Sequence, residues 1–193
     1  FAPMLSAVLK FVPADNIRYL FASHQDPDII SSLGLWDQAL PKASLYSPWL
    51  WEGFIRHFGM EQIRYCAIPD EGMNLTVGRI QLQFVPARYL HSSGNFHVYD
   101  PKAKILMSGD IGAALEPGQP PLWVEDMGQH SSHMKTFHQR WMPSNEAKSH
   151  WLRRVRQLDI DIMAPQHGRL FRQPQIKEFF DWFEQLSVGI AIR

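Results

Sequence analysis

The chain has 193 residues, and its 19 lysines and arginines balance 19 aspartates and glutamates. A chain of this length is most simply one domain, residues 1–193, and zero net charge gives it no overall field for nucleic acid or an anionic membrane. The lone Cys66 excludes an internal disulfide and a Cys-rich zinc site, no apolar run reaches the ~20 residues of a membrane helix, and no signal peptide is visible, so the expected compartment is the cytoplasm.

Phe1 opens the chain inside an amphipathic stretch (Met4, Leu5, Val8, Leu9, Phe11), as a fragment or processed product would, and residues 3–10 are expected to be a short helix. Pro13-Ala14-Asp15 breaks it, and Ile17–Ala22 reads as a strand. The segment His24-Gln25-Asp26-Pro27-Asp28 follows at once. A helix is expected over 29–39, a short strand about Leu45, and a helix from Ser47-Pro48 through Phe58 with Gly59 as its stop. Ile63–Ile68 reads as a strand and Asp70-Glu71-Gly72 as a turn. Strands are then expected at 75–77, 80–85, 96–99 and 105–108, with a hairpin connection at Asp100–Lys104. Residues 115–130, rich in Pro and Gly, read as a long loop. Helices are expected at 131–141 and at 145–158, the latter capped by Ser144 or Asn145. A last core strand covers 160–164, and a terminal helix over 175–186 carries Ile176, Phe179, Phe180 and Phe183 on one side.

Strands interleaved with helices indicate a layered α/β fold, in which ligands gather where strands end at one sheet edge. His24, Asp26 and Asp28 follow the first strand. His91, Asp110 and His167 each follow another. Taken singly these are ordinary: Asp26-Pro27-Asp28 makes a good turn, and a histidine at a strand end is commonly structural or exposed. Their shared placement points to a metal site, because imidazole and carboxylate are ligands for borderline and hard metal ions. Of the other histidines, His57 and His150 fall on solvent-facing helix surfaces, and His97 lies in a strand. Among His130, His133 and His138, His138 is the candidate to stand behind the ligands as hydrogen-bond donor or proton relay. Trp141 is expected in the core or as a pocket wall, and the run Arg153-Arg154-Val155-Arg156 as a solvated helix face.

The order His-x-Asp-x-Asp, His, Asp, His resembles the metallo-β-lactamase superfamily. Its hydrolytic members carry His-x-His-x-Asp-His in the first loop, whereas Asp26 and Ile29 stand at the second and last histidine positions here. That pattern is similar to the flavodiiron branch. The stretches Tyr89–Pro101, Leu106–Gly112 and Asp161–Gly168 resemble its stand-alone oxygen-binding di-iron proteins, which lack the flavodoxin domain. The resemblance implies an αββα sandwich, here short of its N-terminal strands. It also implies two iron ions, one held by His24, Asp26 and His91, the other by Asp28 and His167, with Asp110 as bridge. Carboxylate in place of imidazole suits ferric iron, whereas hydrolytic zinc sites use more nitrogen.

The implied function is binding of dioxygen (or nitric oxide), either as a sensor reporting to a signalling partner or as a reductase supplied by a rubredoxin-like or flavin electron donor. No flavin site is visible in the chain, which favours the sensor version. A homodimer is carried over from the family. The rival is a zinc-dependent hydrolase of the same fold, with zinc or manganese in place of iron and a metal-activated hydroxide as nucleophile.

Overall fold

In the computed structural model, which describes residues 1–192, the chain falls into two compact units, Phe1–Asp70 and Glu71–Arg193. Helices and strands alternate in both.

The first unit runs α1 (Ala2–Val8), β1 (Tyr19–Phe21), α2 (Pro27–Ile30), α3 (Leu33–Ala39), β2 (Ser44–Pro48), α4 (Glu52–Ile55) and β3 (Arg64–Ile68). Its sheet is three-stranded and parallel, in the order β1-β2-β3. Ala22, Ile30, Leu33, Leu45, Ile55 and Ile63 form its core. Two expected elements break up. The helix anticipated over 29–39 is divided at Ser31-Ser32, with Ser32 as N-cap of α3, because serine favours caps over helix interiors. The helix anticipated from Ser47 does not start there. Ser47 and Pro48 pair with Ala67 and Ile68 at the end of β2, leaving two 3₁₀ turns around the four-residue α4. The stop at Gly59 is as expected, its φ of 83° lying in the left-handed region. Asp37 is buried, and its carboxylate accepts from the backbone N–H groups of Glu61, Gln62 and Ile63 at 2.6–3.1 Å, fixing the entry to β3.

The second unit contains β4 (Met73–Val77), β5 (Ile80–Pro86), β6 (Phe96–Asp100), β7 (Ile105–Gly109), α5 (Met127–Trp141), α6 (Asn145–Val155), β8 (Ile162–Pro165), β9 (Phe171–Arg172) and α7 (Gln175–Gln185). The strands form one six-stranded sheet in chain order. β5, β6 and β7 are successively antiparallel, and β7 pairs with β8 in parallel, so β5, β7 and β8 all point the same way. α7 buries Ile176, Phe179, Phe180 and Phe183, the stripe read from its periodicity. Ser144 caps α6 by accepting from the Ala147 N–H.

The expected loop over 115–130 ends early, because α5 begins at Met127 with Asp126 as its cap. Its buried stripe is Met127, His130, Met134 and His138; two histidines in apolar positions conceal the period. Trp141 is 56% exposed and walls a surface pocket rather than filling the core. His97 is buried in β6 and its Nδ1 accepts from Trp151 Nε1 at 3.2 Å. Among the described residues no helix is long and apolar enough to cross a membrane.

Candidate metal centre

Because β5, β7 and β8 share a direction, their C-terminal ends lie along one edge of the second unit's sheet. His91 lies in the loop after β5, Asp110 directly follows β7, and His167 comes two residues after β8. Asp110 is buried. Its Oδ2 is 2.8 Å from His91 Nε2, and its Oδ1 is 3.9 Å from His167 Nε2. One carboxylate therefore turns a different oxygen toward each of two imidazoles.

The loops holding these groups are braced by groups that carry no ligand chemistry themselves. Ser108 Oγ donates to the Ile111 carbonyl at 2.7 Å. The Gln166 N–H donates to the Gly109 carbonyl at 2.7 Å and the Ala114 N–H to the His167 carbonyl at 3.2 Å, tying the Asp110 and His167 loops together. Gly168 has a φ of 91°, and a Cβ there would come within 2.8 Å of the Ala114 side chain, so glycine is required beside His167. The loop before His91 is held by the Tyr89 N–H, which donates to the Ser92 carbonyl at 2.7 Å, and by the buried Asn95 amide, which donates to the Leu90 carbonyl. The His91 ring meets Trp141 edge-on at 5.3 Å between centroids.

The first unit contributes a second group of donors. His24 is buried just past β1, and its Nδ1 shares a 2.8 Å hydrogen bond with Ser23 Oγ. That contact leaves Nε2 facing Asp26 Oδ2 at 3.8 Å. Fixing one imidazole nitrogen orients the other for ligation. Asp28 sits in the first turn of α2 and is exposed. Within the units, then, five of the six candidate ligands gather, as His24 with Asp26 and as His91 with Asp110 and His167. Nothing in the sequence around Ser23 singles it out. Asn95 and Ser108 lie within the family-like stretches but carry no metal-ligand chemistry to draw attention.

His138 is fully buried in α5. Its Nδ1–H donates to the Met134 carbonyl at 2.9 Å and its Nε2 accepts from the Gly112 N–H at 3.0 Å. Both nitrogens are thus committed and the ring is neutral; burial pushes its pKa down to about 4. This fixes the loop that carries Asp110. A ring locked in one tautomer braces that loop and is poorly suited to relaying protons.

The sequence reading missed a second charged cluster. Arg169 holds both oxygens of the buried Glu116 at 2.9 and 2.7 Å, with His130 and His133 3.8 and 3.7 Å away. Burial alone would raise the Glu116 pKa; Arg169, helped by the two histidines, brings it below the usual range. Glu116 lies in the Pro/Gly-rich loop, where no periodicity marks it as buried.

A family model described as the ODP family of β-lactamases matches residues 1–168. The fold is similar to a structure of the peroxy diiron species of the chemotaxis sensor ODP, with 35% identity, a TM-score of 0.91, and 100% of this chain and 81% of that one covered. It is similar also to the apo state of chemotaxis sensor ODP from T. denticola, with 36% identity, a TM-score of 0.91, and coverage of 98% and 78%. The flavodiiron protein from Giardia intestinalis matches at 20% identity and a TM-score of 0.86, over 94% of this chain and 45% of that one, which is a likeness of fold. No curated protein sequence matches at a significant level. These matches bear out the resemblance and the metallo-β-lactamase-type α/β fold read from the sequence.

Proposed function

This chain belongs to the ODP family of β-lactamase-fold proteins, and from that premise we propose that it is a non-haem di-iron protein that binds dioxygen (or nitric oxide) as a sensor. The observation that carries the proposal is the division of Asp110 between His91, facing Oδ2, and His167, facing Oδ1, as expected of a carboxylate bridging two metals about 3.5–4 Å apart. His24, Asp26 and His91 would hold one iron, Asp28 and His167 would hold the other, and Asp110 would serve both. The donor set fits: imidazole with a high share of hard carboxylate oxygen suits iron better than a hydrolytic zinc pair.

When bound, the irons supply the electrons and the open coordination for a diatomic gas. The chain's own residues set the geometry. Ser23 orients the His24 ring, His138 holds the Asp110 loop through Gly112, and Trp141 shields one side of His91. The sensor version is supported by the 35% identity to a chemotaxis sensor over the whole chain, against 20% for a flavodiiron protein. Its partner would be a signalling protein, and an external donor would return the irons to the reduced state. The test is an anaerobic protein loaded with ferrous iron and titrated with dioxygen, read by visible absorption. A stoichiometric band that persists is the expected result. A band that decays through repeated turnover indicates a reductase, and zinc retained with no spectral change favours the hydrolase.

A further inference from the structure

The second unit also carries a concave pocket of about 430 Å³, within the range of small-molecule sites. It is lined by Arg88, Tyr89, Ser144, His150, Trp151 and Arg154. Three features of this wall call for a ligand. The first is Arg154. It lies in the run Arg153–Arg156, expected to face solvent, yet it is half-buried and no carboxylate pairs with it among the described residues. Its neighbour Arg156 pairs with Asp181 at 2.9 Å and with Glu184 at 3.0 Å. A guanidinium keeps its charge in any protein setting and presents a planar fork suited to oxyanions. Arg88 and His150 line the same pocket, as does one carboxylate, the exposed Glu146, set against these three basic side chains.

The second feature is Tyr89. Its φ is 61°, a left-handed conformation that a bulky side chain rarely adopts and that carries backbone strain. The residue is nonetheless 52% exposed and lines the pocket, so the strained backbone presents an aromatic ring to the surface instead of filling a core. The third is the floor. Trp151 is 2% exposed and tied to His97, so the pocket rests on the packed core.

We propose that this pocket binds a small planar molecule bearing a phosphate group, of the nucleotide class, with the phosphate on Arg154 and Arg88 and the ring against Tyr89. Tyr89 is two residues before His91, so the occupant borders the loop that carries a candidate metal ligand and is placed to act as an effector. The binding assignment is independent of which metal the protein holds.

Isothermal titration of the full chain with AMP, inorganic phosphate and benzoate tests it. Wild type is expected to bind AMP more tightly than benzoate. Arg154→Ala should weaken AMP at least tenfold, with Arg154→Lys retaining part of the affinity. Tyr89→Asn, which accepts left-handed backbone, should weaken AMP severalfold and leave inorganic phosphate unchanged. Arg153→Ala, on the same helix but outside the lining, should bind as wild type. An unaltered unfolding midpoint in the Arg154 variants assigns the loss to the contact. The proposal is overturned if millimolar AMP gives no binding to wild type, if Arg154→Ala binds as wild type does, or if benzoate binds more tightly than AMP.

Discussion

His91, Asp110 and His167 leave strands of a six-stranded sheet, whereas His24 and Asp26 follow a three-residue strand at the edge of a three-stranded one. The first group stands over a core that includes Phe171, Phe179 and Phe183, all fully buried. The second stands over a smaller core of mostly aliphatic residues, in a unit that leaves Met4, Phe11 and Phe54 more than 60% exposed. The loops differ in the same way. Backbone hydrogen bonds tie the Asp110 loop to the His167 loop and a buried histidine clamps it. The His24 ring shares a hydrogen bond with the hydroxyl of Ser23, its neighbour in the chain. Donors on a braced edge keep their geometry without an ion, and donors on a short loop depend more on the ion to order them.

The difference can be broken most severely at its centre. Asp110→Ala should abolish binding of both metals, read as iron per chain after anaerobic loading, while the fold survives by circular dichroism. Two metals retained in that variant would end the bridging assignment. A smaller but still large effect is expected at Arg169→Ala, which leaves Glu116 buried without its cation. Breaking a buried pair costs about 3–5 kcal/mol, so the denaturant midpoint should fall sharply.

Acid should weaken the second unit. His138 titrates at about 4 when folded against 6.5 in its unperturbed form. Above pH 6.5 the imidazole is neutral in both states. As pH falls toward 4 only the unfolded chain takes up the proton, so up to ~3 kcal/mol of stability is lost in that window. Glu116, held below the usual carboxylate range, adds to the loss at lower pH as its folded form protonates. His138→Gln, whose amide oxygen can still accept from Gly112, should flatten the upper part of the curve in unfolding titrations. The smallest effect belongs to Ser23→Ala, expected to weaken metal binding about 10–100-fold with little change in unfolding midpoint.

Strands β1 to β8 and α7 were legible because their periods were clean, whereas the two-residue β9 was not, and the six candidate ligands stood out in the sequence because each follows a strand. Elements failed where local chemistry and period disagreed. The α5 stripe hid behind His130 and His138, and Ser31-Ser32 divided a helix whose apolar positions ran on. Pro48, which reads as a helix start, instead ends the central strand β2, past the last residue paired with β1. Trp141 reads as core or pocket wall, and it is the wall that it forms, exposed beside His91. The braces of the site were not legible. Ser23 and Asn95 act through orientation, and the separate Glu116 cluster forms through contacts distant in sequence, and neither leaves a spacing to read. Arg154 differs from Arg153 and Arg156 only by the direction its helix position faces.

The account rests on one carboxylate serving two metals, and the most direct measurement is the Mössbauer spectrum of anaerobically loaded ⁵⁷Fe protein before and after exposure to dioxygen, with iron per chain determined on the same sample. The account predicts about two irons per chain, ferrous and then magnetically coupled after oxygen is admitted. A single iron per chain, or two that stay uncoupled, would contradict it.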